Sequence, residues 1–380
     1  MTPARAPRNP AVASSPRYDS PMKITRIDSV VLRIPCAKPM SLEFADHRMV
    51  AAFVSTDEGL EGFGYTLAFG GGGAEAMQVY LETRLKPLLI GEDPRLVQRL
   101  WEKMFRADRG IRRVGLAAYA LSTLDIALWD LAGKAAGQPL FRMWGGAVDR
   151  VEAYGSGGWA RYAVQDIVDE ARFYAGQGCR YYKMKIHDPD PRVNRQRVEA
   201  VKNALGDGVR LMVDVNQKLD VLDSIRQAHL LEDLDLVWYE EPVLADDYAG
   251  CAEVARSIRI PVATGENHYT RFEFRELCER RAARYLMPDV GRANGFSETL
   301  RIGHLAAAHG LLVSPHVLHE ISLQVAGALS NAFLVEYMTW APTDLFVELP
   351  KCENGCFRVP GRPGHGMQLT PDAVKKYGVA

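Results

Sequence analysis

A series of short apolar segments, each about one strand-plus-helix unit from the next, ends on groups that bind metals or move protons. Reading forward, these groups are Lys183 and Lys185, Asp214, Glu240, Glu266, Asp289, His316 and Glu336. The steps from Lys185 are 29, 26, 26, 23, 27 and 20 residues. A strand, a helix and their two loops need roughly 20 to 30 residues. All of these groups can therefore stand at one end of successive parallel strands, the end at which a (β/α) barrel builds its active site.

The text around each group supports that placement. Tyr181-Tyr-Lys-Met-Lys-Ile186, Leu211-Met-Val-Asp214, Leu236-Val-Trp-Tyr-Glu240 and Pro261-Val-Ala-Thr-Gly-Glu266 are short apolar runs. So are Tyr285-Leu-Met-Pro-Asp289, Leu311-Leu-Val-Ser-Pro-His316 and Phe333-Leu-Val-Glu336. Runs of this kind, bounded by Gly, Pro or charge, read as buried parallel strands. Helical stretches lie between them: 164–178, 191–205 opening on Pro191, and 295–309 stopping before Gly310. Val151–Gly155 supplies a first strand.

Residues 22–145 read as a separate α+β module. Met22–Ile34, Met49–Thr56 and a return from Gly62 suggest a small antiparallel sheet, with Asp57-Glu-Gly59 as a turn. Helices are expected over 74–88, 94–104 and 114–136. Four glycines, Gly70–Gly73, fit a mobile lid better than a dinucleotide loop, which needs spaced glycines. The barrel is expected over 146–344, with about 345–380 returning to the first module. Residues 1–21, rich in Pro, Ala, Ser and Arg, read as a disordered tail without an apolar signal region.

With 46 basic and 47 acidic residues, the chain carries no charge excess for a nucleic acid or membrane surface. No apolar run reaches the ~18 residues of a membrane span. Six scattered cysteines make no disulfide framework, so a reducing cytoplasm is expected. Cys352-Glu-Asn-Gly-Cys356 reads as a hairpin turn between free thiols.

Asp214, Glu240 and Glu266 offer three hard oxygen ligands without Cys or His, which favours Mg²⁺ over zinc. Lys183 and Lys185 face the same side of their strand, and two buried ammonium groups would depress each other's pKa. Asp289 would orient His316 as a second base. Glu336 is a candidate hydrogen-bond donor if burial keeps it protonated. A cation gripping a substrate carboxylate would let the neighbouring α-proton leave, with the enediolate held by the cation, Lys183 and Glu336.

These residues resemble the enolase superfamily, mandelate racemase subgroup. Lys183-Met-Lys185 is similar to the family's bases on the second strand. Val213-Asp-Val-Asn216, Tyr239-Glu-Glu-Pro242 and Thr264-Gly-Glu-Asn267 are similar to its magnesium-ligand motifs. The resemblance implies a (β/α)7β barrel under an N-terminal α+β cap, the Asp289–His316 pair as a dyad, and Asn216 as a substrate contact. It also implies a homo-oligomer, often an octamer.

Specificity in this family is implied to come from N-terminal loops. Here the first loop offers Lys38, Glu43, Asp46, His47 and Arg48, and Arg292 follows Asp289. Such groups suit hydroxyls and a second carboxylate. Lys38, His47 and Arg292 are therefore candidate substrate contacts alongside Asn216. The expected activity is dehydration of an acid sugar such as galactarate, talarate, tartrate or fuconate to a 2-keto-3-deoxy acid. Either Lys185 or His316 would take the α-proton. A racemase or epimerase of a 2-hydroxy acid uses the same two bases, and a catalytically silent barrel is the non-enzymatic alternative.

Overall fold

A computed structural model describes residues 22–36, 44–111 and 113–379. Lys38, Glu43 and the tail 1–21 lie outside the described residues. Strands β1 (Ile24–Pro35), β2 (Asp46–Thr56) and β3 (Glu61–Ala68) form an antiparallel sheet in sequential order. Helix Leu116–Ala136 lies across it. Contact is close because β3 carries glycine where the helix backbone crosses. A Cβ on Gly62 would fall 2.2 Å from Ala127 O, and one on Gly64 would fall 2.2 Å from Thr123 O. Side chains from the sheet, helix Val97–Phe105 and this helix fill the module's core, with Trp101, Leu124 and Leu128 fully buried.

The second unit begins at β4 (Arg150–Gly157). Parallel strands follow as β5 (Tyr181–Lys185), β6 (Arg210–Asp214), β7 (Tyr239–Glu240) and β8 (Val262–Thr264). The series ends with β9 (Tyr285–Leu286), β10 (Leu312–Val313) and β11 (Val335–Tyr337). Each pairs in parallel with its predecessor from β4 to β10. The ring closes where β11 pairs with β4 and a parallel bridge joins Val313 to Ala332. Seven helices follow the first seven of these strands, and none follows β11 before the terminal segment. This is the barrel that the motif spacing predicts, in the (β/α)7β form that the family resemblance implies.

Period-two alternation places the chemistry. On β5, Tyr182 and Met184 pack outward, while Lys183 and Lys185 point into the barrel with Tyr181 below them. The lower barrel is filled by Tyr154, Met212, Trp238, Ala263, Met287 and Leu334, a packed floor rather than a pore. After β11 the chain forms the hairpin β12 (Cys352–Glu353) and β13 (Cys356–Arg358), which lies antiparallel on β4. Its turn residues Asn354 and Gly355 have φ of 51° and 72°, as the Asn-Gly reading requires. The terminal segment then reaches the first module, where Val379 N–H donates to Val31 O at 2.9 Å. Among the described residues no helix is long and apolar enough to cross a membrane.

Candidate active site

The upper ends of β5 to β11 bring the expected groups together. One carboxylate oxygen each from Asp214, Glu240 and Glu266 lies within 4.8 Å of the other two, and all three residues are buried. Trp238 Nε1 donates to Glu240 Oε2 at 2.8 Å, and Asn216 N–H donates to Asp214 Oδ1 at 2.8 Å. Burial, with Asp214, Glu266 and Glu336 close by, pushes the Glu240 carboxyl well above its usual range despite Lys183 beside it. Crowded hard oxygens at this spacing fit a small divalent cation, and Mg²⁺ matches their chemistry.

Lys183 is 3% exposed, with Nζ 2.8 Å from Glu240 and 3.0 Å from Glu336. Lys185 Nζ lies 2.9 Å from Asp214 and 2.7 Å from Asn216 Oδ1, and 4.9 Å from the Trp159 ring centroid. The mutual depression expected of the two ammonium groups is outweighed by the carboxylates around them. Burial pulls the Lys183 pKa down, but Glu240 and Glu336 outweigh it and the net shift is upward. Burial and the repulsion of Lys183 pull Lys185 down, but the charge and hydrogen bond of Asp214 together with Glu266 outweigh them and the net shift is upward. Glu336 also departs from expectation. Burial pushes its carboxyl up, but Lys183, His316, the Ser156 hydroxyl and Val317 N–H hold it far below the carboxylate range. In these contacts it accepts, from Lys183 Nζ and Val317 N–H.

His316 Nδ1 is 2.8 Å from Asp289 Oδ2, forming the expected pair. Its Nε2 sits 3.2 Å from Glu266 and 3.9 Å from Glu336, facing the carboxylate cluster opposite Lys185. The backbone then turns through left-handed φ at Val317 (42°) and Leu318 (44°). This turn aims Val317 N–H at Glu336 Oε2, 2.8 Å away. A β-branched residue rarely adopts such a φ, so surrounding contacts hold strain beside the dyad.

A cavity of about 330 Å³ opens over these groups. Lys183, Lys185, Asn216, Glu266, Arg292, His316 and Glu336 line its base. Arg292 is locked against the site, with Nη1 3.0 Å from Glu266 O and Nε 3.1 Å from Asp289. The described polar residues of the first loop lie elsewhere. Asp46 bridges Arg33 and Arg48, and His47 is buried with Nε2 3.1 Å from Cys36 Sγ. Burial lowers the His47 imidazole to about 4. His47 packs behind the wall, its ring centroid 4.6 Å from that of Phe69.

An aromatic wall of Phe44, Phe69 and Trp159 stands where those loop charges were expected. The glycine run forms a 3₁₀ turn that starts with Phe69, and Gly70, Gly71 and Gly73 take φ of 65°, 78° and 78°. Further polar groups on the cavity come from the barrel, Ser156 on β4 and His187 and Lys218 on loops. His187 Nε2 lies 3.0 Å from Asn216 Oδ1. Because Asn216 Nδ2 donates to Asp214, its Oδ1 accepts from both Lys185 and His187. Glu241 went unrecognised in the sequence beside the candidate ligand Glu240. It receives Asn267 Nδ2 at 2.6 Å and Gln217 Nε2 at 3.0 Å, while burial and the Glu266 and Asp214 carboxylates push it up to about 8. Two consecutive acids closing one strand were the available signal.

Residues 25–145 match the mandelate racemase/muconate lactonizing enzyme N-terminal domain, and residues 166–373 match the enolase C-terminal domain-like model. An arabinonate dehydratase of Saccharolobus solfataricus is 32% identical over 346 residues, covering 88% of this chain and 92% of its own. A crystal structure of a Streptomyces coelicolor racemase with bound magnesium has a TM-score of 0.90 at 30% identity, over 94% of this chain and all (100%) of its own. The L-talarate dehydratase of Polaromonas sp. JS666, solved with Mg and L-glucarate, has a TM-score of 0.87 at 33% identity, over 94% and 98% of the two chains. With both of its domains matched, the chain belongs to the mandelate racemase/muconate lactonizing enzyme family of the enolase superfamily.

Proposed function

We propose that this protein is a magnesium-dependent acid-sugar dehydratase, a hydro-lyase. The observation that carries the reading is the clustered carboxylate triad, flanked by Lys185 on one side and the Asp289-paired His316 on the other, beneath one cavity. The likeness to an arabinonate dehydratase and to a talarate dehydratase solved with Mg and L-glucarate supports it.

Asp214, Glu240 and Glu266 would hold the cation. When bound, it supplies positive charge that anchors the substrate carboxylate and offsets the charge growing on its oxygens as the α-proton leaves. Each lysine has a partner outside the triad: Glu336 for Lys183 and Asn216 for Lys185. Lys183 thus remains a fixed positive charge at the cavity base. Lys185 and His316 face the α-carbon from opposite sides, and the one aligned with the proton removes it, according to substrate stereochemistry. His316 as imidazolium then protonates the β-hydroxyl, which leaves as water. The enol ketonises to a 2-keto-3-deoxy acid. Galactarate, talarate, tartrate and fuconate fit this chemistry. The reading includes a homo-oligomer, which the family resemblance supports, and a cytoplasmic location, with which six free thiols accord.

One observation favours a second reading. Phe44, Phe69 and Trp159 form a wall on which the phenyl ring of a 2-hydroxy acid would pack, which suits a racemase. Proton NMR in D₂O with Mg²⁺, against aldonic and aldaric acids and mandelate, separates the two. Loss of an acid-sugar signal with appearance of a keto-deoxy product is expected. Exchange at the α-carbon without elimination would support the racemase, and no exchange with any acid would sink both.

Lys218 is exposed on the cavity wall, and among the described residues no carboxylate pairs with it. A second substrate carboxylate would find its charge there. Lys218→Ala is expected to raise KM for an aldaric acid by about tenfold, the loss of one charge-assisted hydrogen bond. The KM for the matching aldonic acid should not change. Equal effects on both acids would remove Lys218 from distal recognition.

A further inference from the structure

The first module does more than cover the cavity, because one of its strands touches both the loop after Asp289 and the helix after His316. On β3, the Tyr65 hydroxyl donates to Glu320, on the helix that follows His316. The next residue, Thr66, donates from Oγ1 to Gly291 O at 2.9 Å, on the loop that follows Asp289. Thr66 is fully buried.

That loop is a tight turn built on the Asp289 carboxylate. Asp289 O accepts from Arg292 N–H at 3.0 Å and from Ala293 N–H at 2.7 Å. Asp289 Oδ1 accepts from Gly291 N–H at 2.7 Å, while Oδ2 faces His316 Nδ1 at 2.8 Å with Arg292 Nε 3.1 Å away. Gly291 therefore orients Asp289 through its N–H while Thr66 holds its carbonyl. The fit admits no side chain: a Cβ on Gly291 would stand 2.6 Å from Thr66 Oγ1 and 3.2 Å from both Asp289 Oδ1 and Leu318 Cδ1. Leu318 itself belongs to the loop after His316, so the hydroxyl sits where the two loops meet.

We infer that Thr66 is a positioning residue for the Asp289–His316 pair: its hydroxyl fixes the Gly291 peptide that aims the aspartate at the imidazole. The inference rests on the reading of that pair as a proton-transfer group. The far half of the same loop has its own anchors. Trp101 Nε1 donates to Asn294 O at 2.9 Å, and Ser297 N–H and Oγ donate to Asp125 at 2.9 and 2.7 Å. Loss of the Thr66 hydroxyl therefore leaves the module docked and loosens the Gly291 peptide alone.

The test is Thr66→Val, which keeps the shape and removes the donor, read as α-deuterium exchange in D₂O with Mg²⁺. Two α-epimers of the substrate are used, one presenting its α-proton to His316 and the other to Lys185. Exchange at the His316 face is expected to fall by about 10- to 100-fold, the effect of a small misplacement of a catalytic group. Exchange at the Lys185 face should stay within about twofold, and Thr66→Ser should restore the lost rate. Thr66→Ala lacks the same hydroxyl in a smaller side chain and takes the place of the valine variant if that fails to fold. Equal loss at both faces, or no loss, overturns the inference. His316→Asn is the reference: if it leaves exchange at its own face intact, the reading of the dyad falls first and the role of Thr66 falls with it.

Discussion

Lys183→Met is expected to lower stability in EDTA by about 3–5 kcal/mol, the effect of leaving a buried ion pair half removed. Lys183 is 3% exposed and answers two carboxylates that are no more accessible, Glu240 at 2.8 Å and Glu336 at 3.0 Å. Methionine fills similar space but leaves both acids without their nearest positive charge. Mg²⁺ should narrow the gap between variant and wild type, because a cation on Asp214, Glu240 and Glu266 supplies charge to the same cluster. Activity should not recover with stability. Loss of a fixed positive charge beside the developing oxyanion is expected to cut kcat by about 10²–10³. Urea unfolding with and without Mg²⁺, beside steady-state rates, checks both halves. A variant as stable as wild type in EDTA would mean that Lys183 does not neutralise these acids.

The same residue shows what a sequence can and cannot convey. Lys183 and Lys185 were legible as inward-facing because a strand alternates and their neighbours Tyr182 and Met184 are apolar on the helix side. The clustering of Asp214, Glu240 and Glu266 was legible because each carboxylate ends an apolar run at the barrel's repeat length. Spacing of this kind is a property of the backbone, and the barrel follows from it; the (β/α)7β form came from the family resemblance. Protonation is not such a property. The shifts at Lys183 and Glu336 depend on distances to groups on other strands, and the mutual effect of two lysines was outweighed by carboxylates one and two strands away.

Side-chain direction in the cap loops was also beyond reach. Asp46 and Arg48 looked available to substrate, but they neutralise each other and Arg33 at the surface. The aromatic wall went unrecognised because only charged groups were sought at strand ends. Trp159 obeys the same rule as the ligands, standing just past β4 after Gly157 and Gly158. Thr66 had no local signal at all: its partner Gly291 is 225 residues away, and the contact exists only because β3 docks on the barrel.

Lys185→Ala and His316→Asn are each expected to lower dehydration by about 10²–10⁴, the range for a positioned acid or base. They should fail in different ways. Lys185 Nζ sits between Asp214 and Asn216, and His316 Nε2 faces the triad from the far side, so one elimination uses the two groups in sequence. In D₂O, the variant lacking the abstracting base should show neither exchange nor product. The variant lacking the acid should still exchange the α-proton while releasing little water. If His316 serves as both base and acid for a given substrate, its variant alone loses exchange, and Lys185→Ala retains it. Two groups acting on one path are not independent, so the double variant should be little slower than the worse single one. Singles that retain most of the wild-type rate would remove Lys185 and His316 from proton transfer and leave the triad as a carboxylate-binding site without its acid and base.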